Sequence, residues 1–218
     1  INLTAILNGT ARSRLFSNST ETVFNEGSQD LDFRVESNGV TDALKVDAGN
    51  DQVQIGTGAD LITASAGTSN VRIGVNAGNS IQSGGNFNVV VGDEAGTAIT
   101  TGDYNTAVGH SAGSSITTGG SNAFFGGLAG DAITVGEDNT GLGLNTLGAD
   151  TTGSGNVAIG TSALATQNMG GTTATNSYNV AVGRSAGVNV TTGVNNVLIG
   201  GLAGDALTDA DRNIAIGV

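Results

Sequence analysis

Very few residues of this 218-residue chain could act as nucleophiles, proton carriers or metal ligands. The chain has no cysteine, which excludes a disulfide scaffold, a thiolate metal site and a cysteine nucleophile. Its one histidine, His110, has no second histidine with which to hold zinc. The equivalent position in other copies of the repeat described below carries residues of unrelated chemistry, which is typical of a solvated turn. We therefore predict no catalytic residue and no cofactor, and we assign no metal ligand.

Carboxylates are the other candidates, because paired acids can hydrolyse glycosidic bonds. Neighbouring acids occur at Asp93 and Glu94, at Glu137 and Asp138, and at Asp209 and Asp211. Other repeat copies carry Gly, Ser, Thr or Asn at these positions, so exposed turns are favoured over a catalytic pair. Binding of a structural cation by the turns rich in Asp and Asn is an open alternative, although the Gly-Gly-x-Gly-x-Asp calcium nonapeptide is absent.

Composition excludes several classes of protein. With 19 acidic and 7 basic residues the net charge is −12, which is unsuited to binding nucleic acid because phosphate contacts need Lys and Arg. No apolar run approaches the ~20 residues that cross a bilayer, so no membrane insertion is predicted. Glycine is abundant, at 37 residues, but there is no proline, which rules out collagen.

A repeat organises most of the chain. Eight five-residue segments begin with Asn and end with Gly, mostly 17 residues apart, with one interval of 23. The asparagines are Asn88, Asn105, Asn122, Asn139, Asn156, Asn179, Asn196 and Asn213, and the glycines are Gly92, Gly109, Gly126, Gly143, Gly160, Gly183, Gly200 and Gly217. Weaker copies start at Asn70 and Gln52. The consensus is N-x-A-[VI]-G-x-x-A-G-x-x-I-T-T-G-x-x.

The repeat predicts an all-β fold, a parallel β-solenoid over residues 52–218 that follows a short β-rich region at residues 1–51. The apolar residues after each Asn suit a short strand, and a unit this small must stack on its neighbours to bury its apolar side. We expect ten coils, each with two short strands and two tight turns. The glycines should form corners of positive φ, and the asparagines an inward amide ladder.

The strands also predict self-association. Residues on both faces of the strand are apolar, for example Val90 with Val91 and Ala181 with Val182. Alternate strand residues point to opposite faces, and a single coil has only one inside. A second buried surface is therefore expected, and we predict a homo-oligomer; the alternative is a monomer that leaves this apolar surface exposed.

Two further features concern the surface. The long repeat unit carries six additional residues between Ala165 and Ser177, and insertions in repeat proteins lie in loops on one face that is often the binding face. The candidate contact loop comprises Gln167, Asn168, Met169, Thr172, Thr173 and Asn176; the alternative is a tolerated surface bulge. Stacked threonines, among them Thr100, Thr117 and Thr134, resemble ice-binding arrays, but turn chemistry is the favoured explanation.

Two protein families share these motifs. The Asn-x-Ala-Ile-Gly-x-x-Ala units resemble the head repeats of trimeric autotransporter adhesins, which implies a trimer of left-handed parallel β-rolls. The segment from Asp32 to Gly39 (DFRVESNG), followed by that from Ala43 to Thr57 (ALKVDAGNDQVQIGT), is similar to a segment common in phage tail fibres. Together the resemblances cover about residues 31–218. The 17-residue coil departs from the shorter adhesin repeat.

These resemblances imply a function. We expect a homotrimeric structural segment of a phage tail fibre in the virion, which contributes to host attachment. Its expected partners are itself, other tail or fibre proteins, and a host-surface glycan or protein. The alternative is the head of a bacterial surface adhesin that binds matrix or glycans. A third class is a spike whose enzymatic domain lies outside this sequence.

Overall fold

The structure, a computed structural model, describes residues 65–217 completely and, before them, the backbone of six strands. The chain divides into two compact units, Ile1–Leu61 and Ile62–Val218. The first unit contains two antiparallel meanders. Strands β1 (Leu3–Leu7), β2 (Thr10–Ser17) and β3 (Thr22–Val23) form one; β4 (Phe33–Ser37), β5 (Val40–Asp47) and β6 (Gln52–Ile55) form the other.

The second unit is a parallel β-solenoid. Within residues 65–217, nine three-residue strands pair side by side in a single parallel sheet. They are β7 (Val71–Ile73), β8 (Val89–Val91), β9 (Thr106–Val108), β10 (Ala123–Phe125), β11 (Thr140–Leu142), β13 (Val157–Ile159), β15 (Val180–Val182), β16 (Val197–Ile199) and β17 (Ile214–Ile216). Paired residues are equivalent members of successive repeats, as in Val89 with Thr106 and Thr106 with Ala123. One repeat is therefore one coil, as predicted.

The core lies inside the coil and is built from three positions of the repeat. The central residue of each strand from β8 to β16 of this sheet is buried, as is the alanine five residues later in most coils. The third position carries Ile99, Ile116, Ile133 or Val190. The largest core residue is matched by small neighbours: Phe124 fills space left by two glycines, since a Cβ on Gly130 would lie 2.4 Å from the Phe124 ring and one on Gly141 2.9 Å from it.

The leading asparagines form the predicted ladder. They are buried except for Asn213, which is half-buried. The N–H of Asn105 donates to Oδ1 of Asn88 at 2.9 Å, while Nδ2 of Asn105 donates to the carbonyl of Gly119 at 2.9 Å. The same N–H to Oδ1 contact recurs from Asn88 to Asn213. Each amide thus satisfies buried backbone groups of its own coil and of the next, which unpaired would each cost about 1–3 kcal/mol.

The glycine that ends each strand makes the predicted corner. Gly109 has φ 135°, and a Cβ there would lie 2.6 Å from the backbone of Gly126 in the next coil. Any side chain at this corner would collide with the backbone of the neighbouring coil. Glycine is therefore required both for the positive φ and for the close approach of the coils.

Two expectations about the coils are wrong. The weak copy at Gln52 does not begin the solenoid, because β6 pairs antiparallel with β5. Only four residues separate Asp47 from its partner Gln52, and so short a connection makes a hairpin, whereas a parallel pairing needs a long crossover. A second strand per coil is also absent from the described residues, except where β12 (Gly153–Ser154) pairs with β14 (Thr175–Asn176).

Candidate functional site

The outward face of the nine-stranded sheet carries a continuous column of apolar side chains. The first and third residues of each strand point away from the core, and we call these two columns the outer sheet face. Phe125 is 42% exposed and Leu142 49% exposed, in the middle of the sheet. The third-residue column contains Ile73, Val91, Val108, Phe125, Leu142, Ile159, Val182, Ile199 and Ile216. Parallel sheets are normally covered on both faces, so this surface is suited to a partner.

The acids and the histidine lie where the repeat predicts exposed turns. His110 is exposed, and so are both members of each predicted acid pair, namely Asp93 and Glu94, Glu137 and Asp138, and Asp209 and Asp211. Within residues 65–217 no three or more His, Cys, Asp or Glu side chains converge as metal ligands would. The arrangement thus keeps these carboxylates in water.

The chain also carries the Gly-x-Ser-x-Gly pattern of a nucleophile elbow, at residues 109–113 and 183–187. Ser111 has φ 54° and Ser185 φ 58°, but Leu128 adopts φ 57° at the same corner of another coil. The conformation therefore belongs to the repeat. An elbow joins a strand to a helix, and residues 65–217 contain no helix. Ser111 is buried beside an exposed His110, an arrangement that offers no base to the hydroxyl.

The six-residue insertion leaves the solenoid in register. Val157 pairs with Val180 and Ile159 with Val182, although 23 residues separate them. Most of the candidate contact loop is at the surface: Asn168, Thr172, Thr173 and Asn176 are exposed, and Met169 is half-buried. Gln167 is completely buried and belongs to the core instead.

A buried polar network lies beneath this loop. Gln167 Nε2 donates to Oδ2 of the fully buried Asp150 at 2.6 Å, and the Gly153 N–H donates to Oδ1 of Asp150 at 2.9 Å. The network joins the asparagine ladder at two points. Asn179 Nδ2 donates to Gln167 Oε1 at 2.8 Å, and Ser177 Oγ donates to Asn156 Oδ1 at 2.9 Å. These hydrogen bonds fix both ends of the insertion to the coil.

Sequence reasoning missed Asp150 and Ser177, although the repeat contains a signal for the first. Asp150 and Gln167 occupy the coil position that holds Ile116 or Ile133 elsewhere. In the same two coils Leu147 and Leu164 replace a core-facing glycine, and both leucines are buried. A polar residue at an apolar position, paired with an apolar residue at a glycine position, marks an altered core.

The threonine column is part of the coil rather than an ice-binding array. Thr100 Oγ1 donates to the carbonyl of Thr117 at 3.0 Å, and Thr117 Oγ1 to that of Thr134 at 3.1 Å. Thr134 continues the series to Thr151 at 2.9 Å. These hydroxyls are engaged with the backbone of the next coil, which is the turn chemistry that the sequence favours.

The environment of Asp131 shifts the protonation of its carboxyl group. Burial raises its pKa above the ordinary value of 3.8, while hydrogen bonds from the backbone N–H groups of Asp131 and Ala132 lower it by less. Its buried Oδ1 has no hydrogen-bond partner. The group stands alone, half-buried on one coil, and therefore affects stability rather than forming a site.

No described segment forms a helix of the length and hydropathy that a membrane span requires. No family model, curated protein or solved structure matches this chain significantly. The fold and the surfaces described above are therefore what bears on its function.

Proposed function

We propose that this chain is a structural, non-enzymatic segment of a phage tail fibre, which assembles as a homotrimer of left-handed coils and contributes to host attachment. The observation that carries the proposal is the outer sheet face, whose third-residue column stays apolar through all nine strands of the described solenoid. Identical copies placed side by side would cover this face along its whole length. Nine strands at about 4.8 Å spacing form a rod roughly 40 Å long.

Three copies, rather than two, are proposed because the repeat resembles the trimeric adhesin heads. The resemblance of residues 32–57 to a tail-fibre segment supports a place in the virion, with other tail or fibre proteins as further partners. A structural role fits the pattern of variation, since core and corner positions recur in every coil while acidic residues change from coil to coil.

A bacterial surface adhesin head is the second candidate. The observation that favours it is the Asn-x-Ala-Ile-Gly unit itself, whose asparagine ladder and glycine corners are formed in the structure. Such a head would bind extracellular matrix or glycans and would sit on the cell surface rather than on a virion.

The test is to incubate the purified chain with bacterial envelope polysaccharides and, in parallel, with extracellular matrix proteins. We expect binding to envelope material without depolymerisation. Depolymerisation that is lost when one acidic residue is replaced would overturn the structural role. Binding to matrix proteins alone would favour the adhesin.

A further inference from the structure

Both tyrosines of the chain lie in one surface column. We call the residues that immediately precede the ladder asparagines the pre-asparagine column. It contains Ser69, Phe87, Tyr104, Ser121, Asp138, Gly155, Tyr178, Asn195 and Arg212. Every member has positive φ, between 50° and 72°. Ser, Asn, Asp and Gly are ordinary residues at such a position, whereas bulky aromatic residues are not.

The three aromatic members gain little from burial. Phe87 is 47% exposed, Tyr104 62% and Tyr178 51%. The left-handed conformation costs a residue with a Cβ roughly 1–2 kcal/mol, so these side chains combine an unfavourable backbone with exposed rings. Residues 65–217 contain only two other aromatic side chains, Phe124 and Phe125. Strained and exposed residues of this kind concentrate at functional surfaces.

The aromatic rings are also held in place. Phe87 and Tyr104 stack with ring centroids 5.0 Å apart and planes inclined by 12°. The Phe87 N–H donates to the Thr68 carbonyl, and the Tyr104 N–H to the Asn86 carbonyl. Asp103 Oδ1 accepts the Asn86 N–H at 2.6 Å. The pair is therefore preorganised in the free protein, which lowers the cost of binding a ligand.

Tyr178 is the second aromatic position of the column, and its ring lies on the side toward Tyr104. The Tyr178 ring lies across Gly155, where a Cβ would be 2.5 Å from its Cδ1. Between Tyr104 and Tyr178 the column holds only Ser121, Asp138 and Gly155. Four coil steps of about 4.8 Å separate the two tyrosines by roughly 19 Å. Exposed Glu137 and Asp138 lie between them, and exposed Asn176 precedes Tyr178 in the insertion.

We infer that the pre-asparagine column from Phe87 to Tyr178 binds an extended, uncharged oligosaccharide. Aromatic faces accept the C–H faces of sugar rings, and the carboxylate and amide groups between them can bond to sugar hydroxyls. The net charge of −12 and the acids within the column disfavour an anionic polymer. A second copy of this chain fits less well, because Asp138 and Gly155 interrupt the column while the outer sheet face is continuous. The inference rests on the proposed role in host attachment and names the ligand class.

Tyrosine fluorescence tests this inference, because the chain has no tryptophan and its only tyrosines are Tyr104 and Tyr178. The full chain is titrated with neutral hexasaccharides of glucose, mannose and N-acetylglucosamine, and with oligogalacturonate and oligolysine as charged probes. We expect a saturable change with at least one neutral probe and none with oligogalacturonate. Absence of any neutral response, or a response to oligolysine alone, overturns the inference.

Variants locate the site. Tyr104→Ser and Tyr178→Asn introduce residue types that the column already holds, so both should fold, and each should weaken binding about tenfold or more. Each variant retains the other tyrosine as its reporter. Leu144→Ala removes an exposed apolar side chain that lies in neither the pre-asparagine column nor the outer sheet face, and it should leave saccharide affinity unchanged. If the Tyr104→Ser variant and the Tyr178→Asn variant each keep the saccharide affinity of the parent, the proposed site is wrong. Measuring the solution mass of each variant separates a failure of assembly from a failure of saccharide binding.

Discussion

At the scale of single residues, two positions inside the coil exchange their roles. In most coils a glycine with positive φ is followed three residues later by Ile, Val or Leu, as in Gly113 and Ile116. A Cβ on Gly113 would lie 2.8 Å from Cδ1 of Ile116, so a large side chain at the first position crowds a branched apolar one at the second. The coils that carry Leu147 and Leu164 accordingly have Asp150 and Gln167 in place of isoleucine.

This crowding predicts coupling between the two positions. Gly113→Leu should destabilise the protein by about 1–3 kcal/mol through overpacking, and Ile116→Ala by about 2–5 kcal/mol through a cavity. Because the leucine can fill the space that isoleucine leaves, the double variant should be more stable than the sum predicts by at least about 1 kcal/mol. Urea unfolding of all four proteins measures the difference, and strict additivity would refute the exchange.

The raised pKa of Asp131 predicts that the stability of the protein depends on pH. A carboxyl whose folded pKa is raised destabilises the folded state at pH values above that pKa, and the penalty disappears as the pH falls below the unfolded value of 3.8. Asp131→Asn should therefore raise the midpoint of thermal unfolding at pH 7, and the gain should shrink toward pH 3. Asp205→Asn, at the same coil position but exposed, is the control and should change little at either pH. A gain for Asp131→Asn that stays constant with pH would contradict this account.

At the scale of the element, the insertion changes the hydrogen-bond partners of the asparagine ladder. In the regular coils Nδ2 of each asparagine reaches the preceding asparagine or a glycine carbonyl. At the insertion, Nδ2 of Asn179 still donates to a glycine carbonyl, that of Gly193, but Gln167 Oε1 replaces the preceding asparagine as its second acceptor, and Ser177 Oγ supplies the donor to Asn156. The core therefore stays hydrogen-bonded while residues 169–174 leave the wall of the coil, which the chain rejoins at β14.

Asp150 should hold this element together. Asp150→Ala leaves the Gln167 amide and the Gly153 N–H without their buried acceptor, and we expect a loss of about 2–4 kcal/mol in unfolding free energy. Hydrogen exchange of residues 168–176 should accelerate more than that of distant coils. Thr173→Ala, on the exposed part of the loop, is the matched control and should stay within about 0.5 kcal/mol of the parent. Equal stability of the two variants would show that the network does not anchor the loop.

The sequence predicts the elements better than it predicts their exceptions. Asn105 and Gly109 recur at fixed spacing, and such repetition predicts the ladder, the corners and the register. The segment that begins at Gln52 resembles the repeat in sequence, but the link that joins its strand to the preceding strand is too short to form a coil. Only the backbone pairing shows that this strand belongs to a hairpin. The sequence does not predict a saccharide site in the pre-asparagine column. That site depends on the backbone conformation of Phe87 and Tyr104 and on the stacking of their rings, and a periodic sequence pattern contains neither.

At the scale of the whole solenoid, the outer sheet face decides between a single rod and a bundle. Substituting a half-exposed position there should leave the isolated coil intact while charging the surface between copies. Leu142→Asp should therefore fold but fail to associate, because assembly would bury an unpaired carboxylate. Thr118→Asp, an exposed position in the turn region, is the control and should associate normally. Size-exclusion chromatography with circular dichroism distinguishes loss of association from loss of fold.

The molar mass of the unmodified chain in solution tests the central claim, which is self-association along the outer sheet face. The chain has a mass of 21.3 kDa. Light scattering or sedimentation equilibrium at micromolar concentration should give about three times that value. A stable, soluble species of 21.3 kDa would contradict the account, because the apolar face of all nine strands would then stand in water.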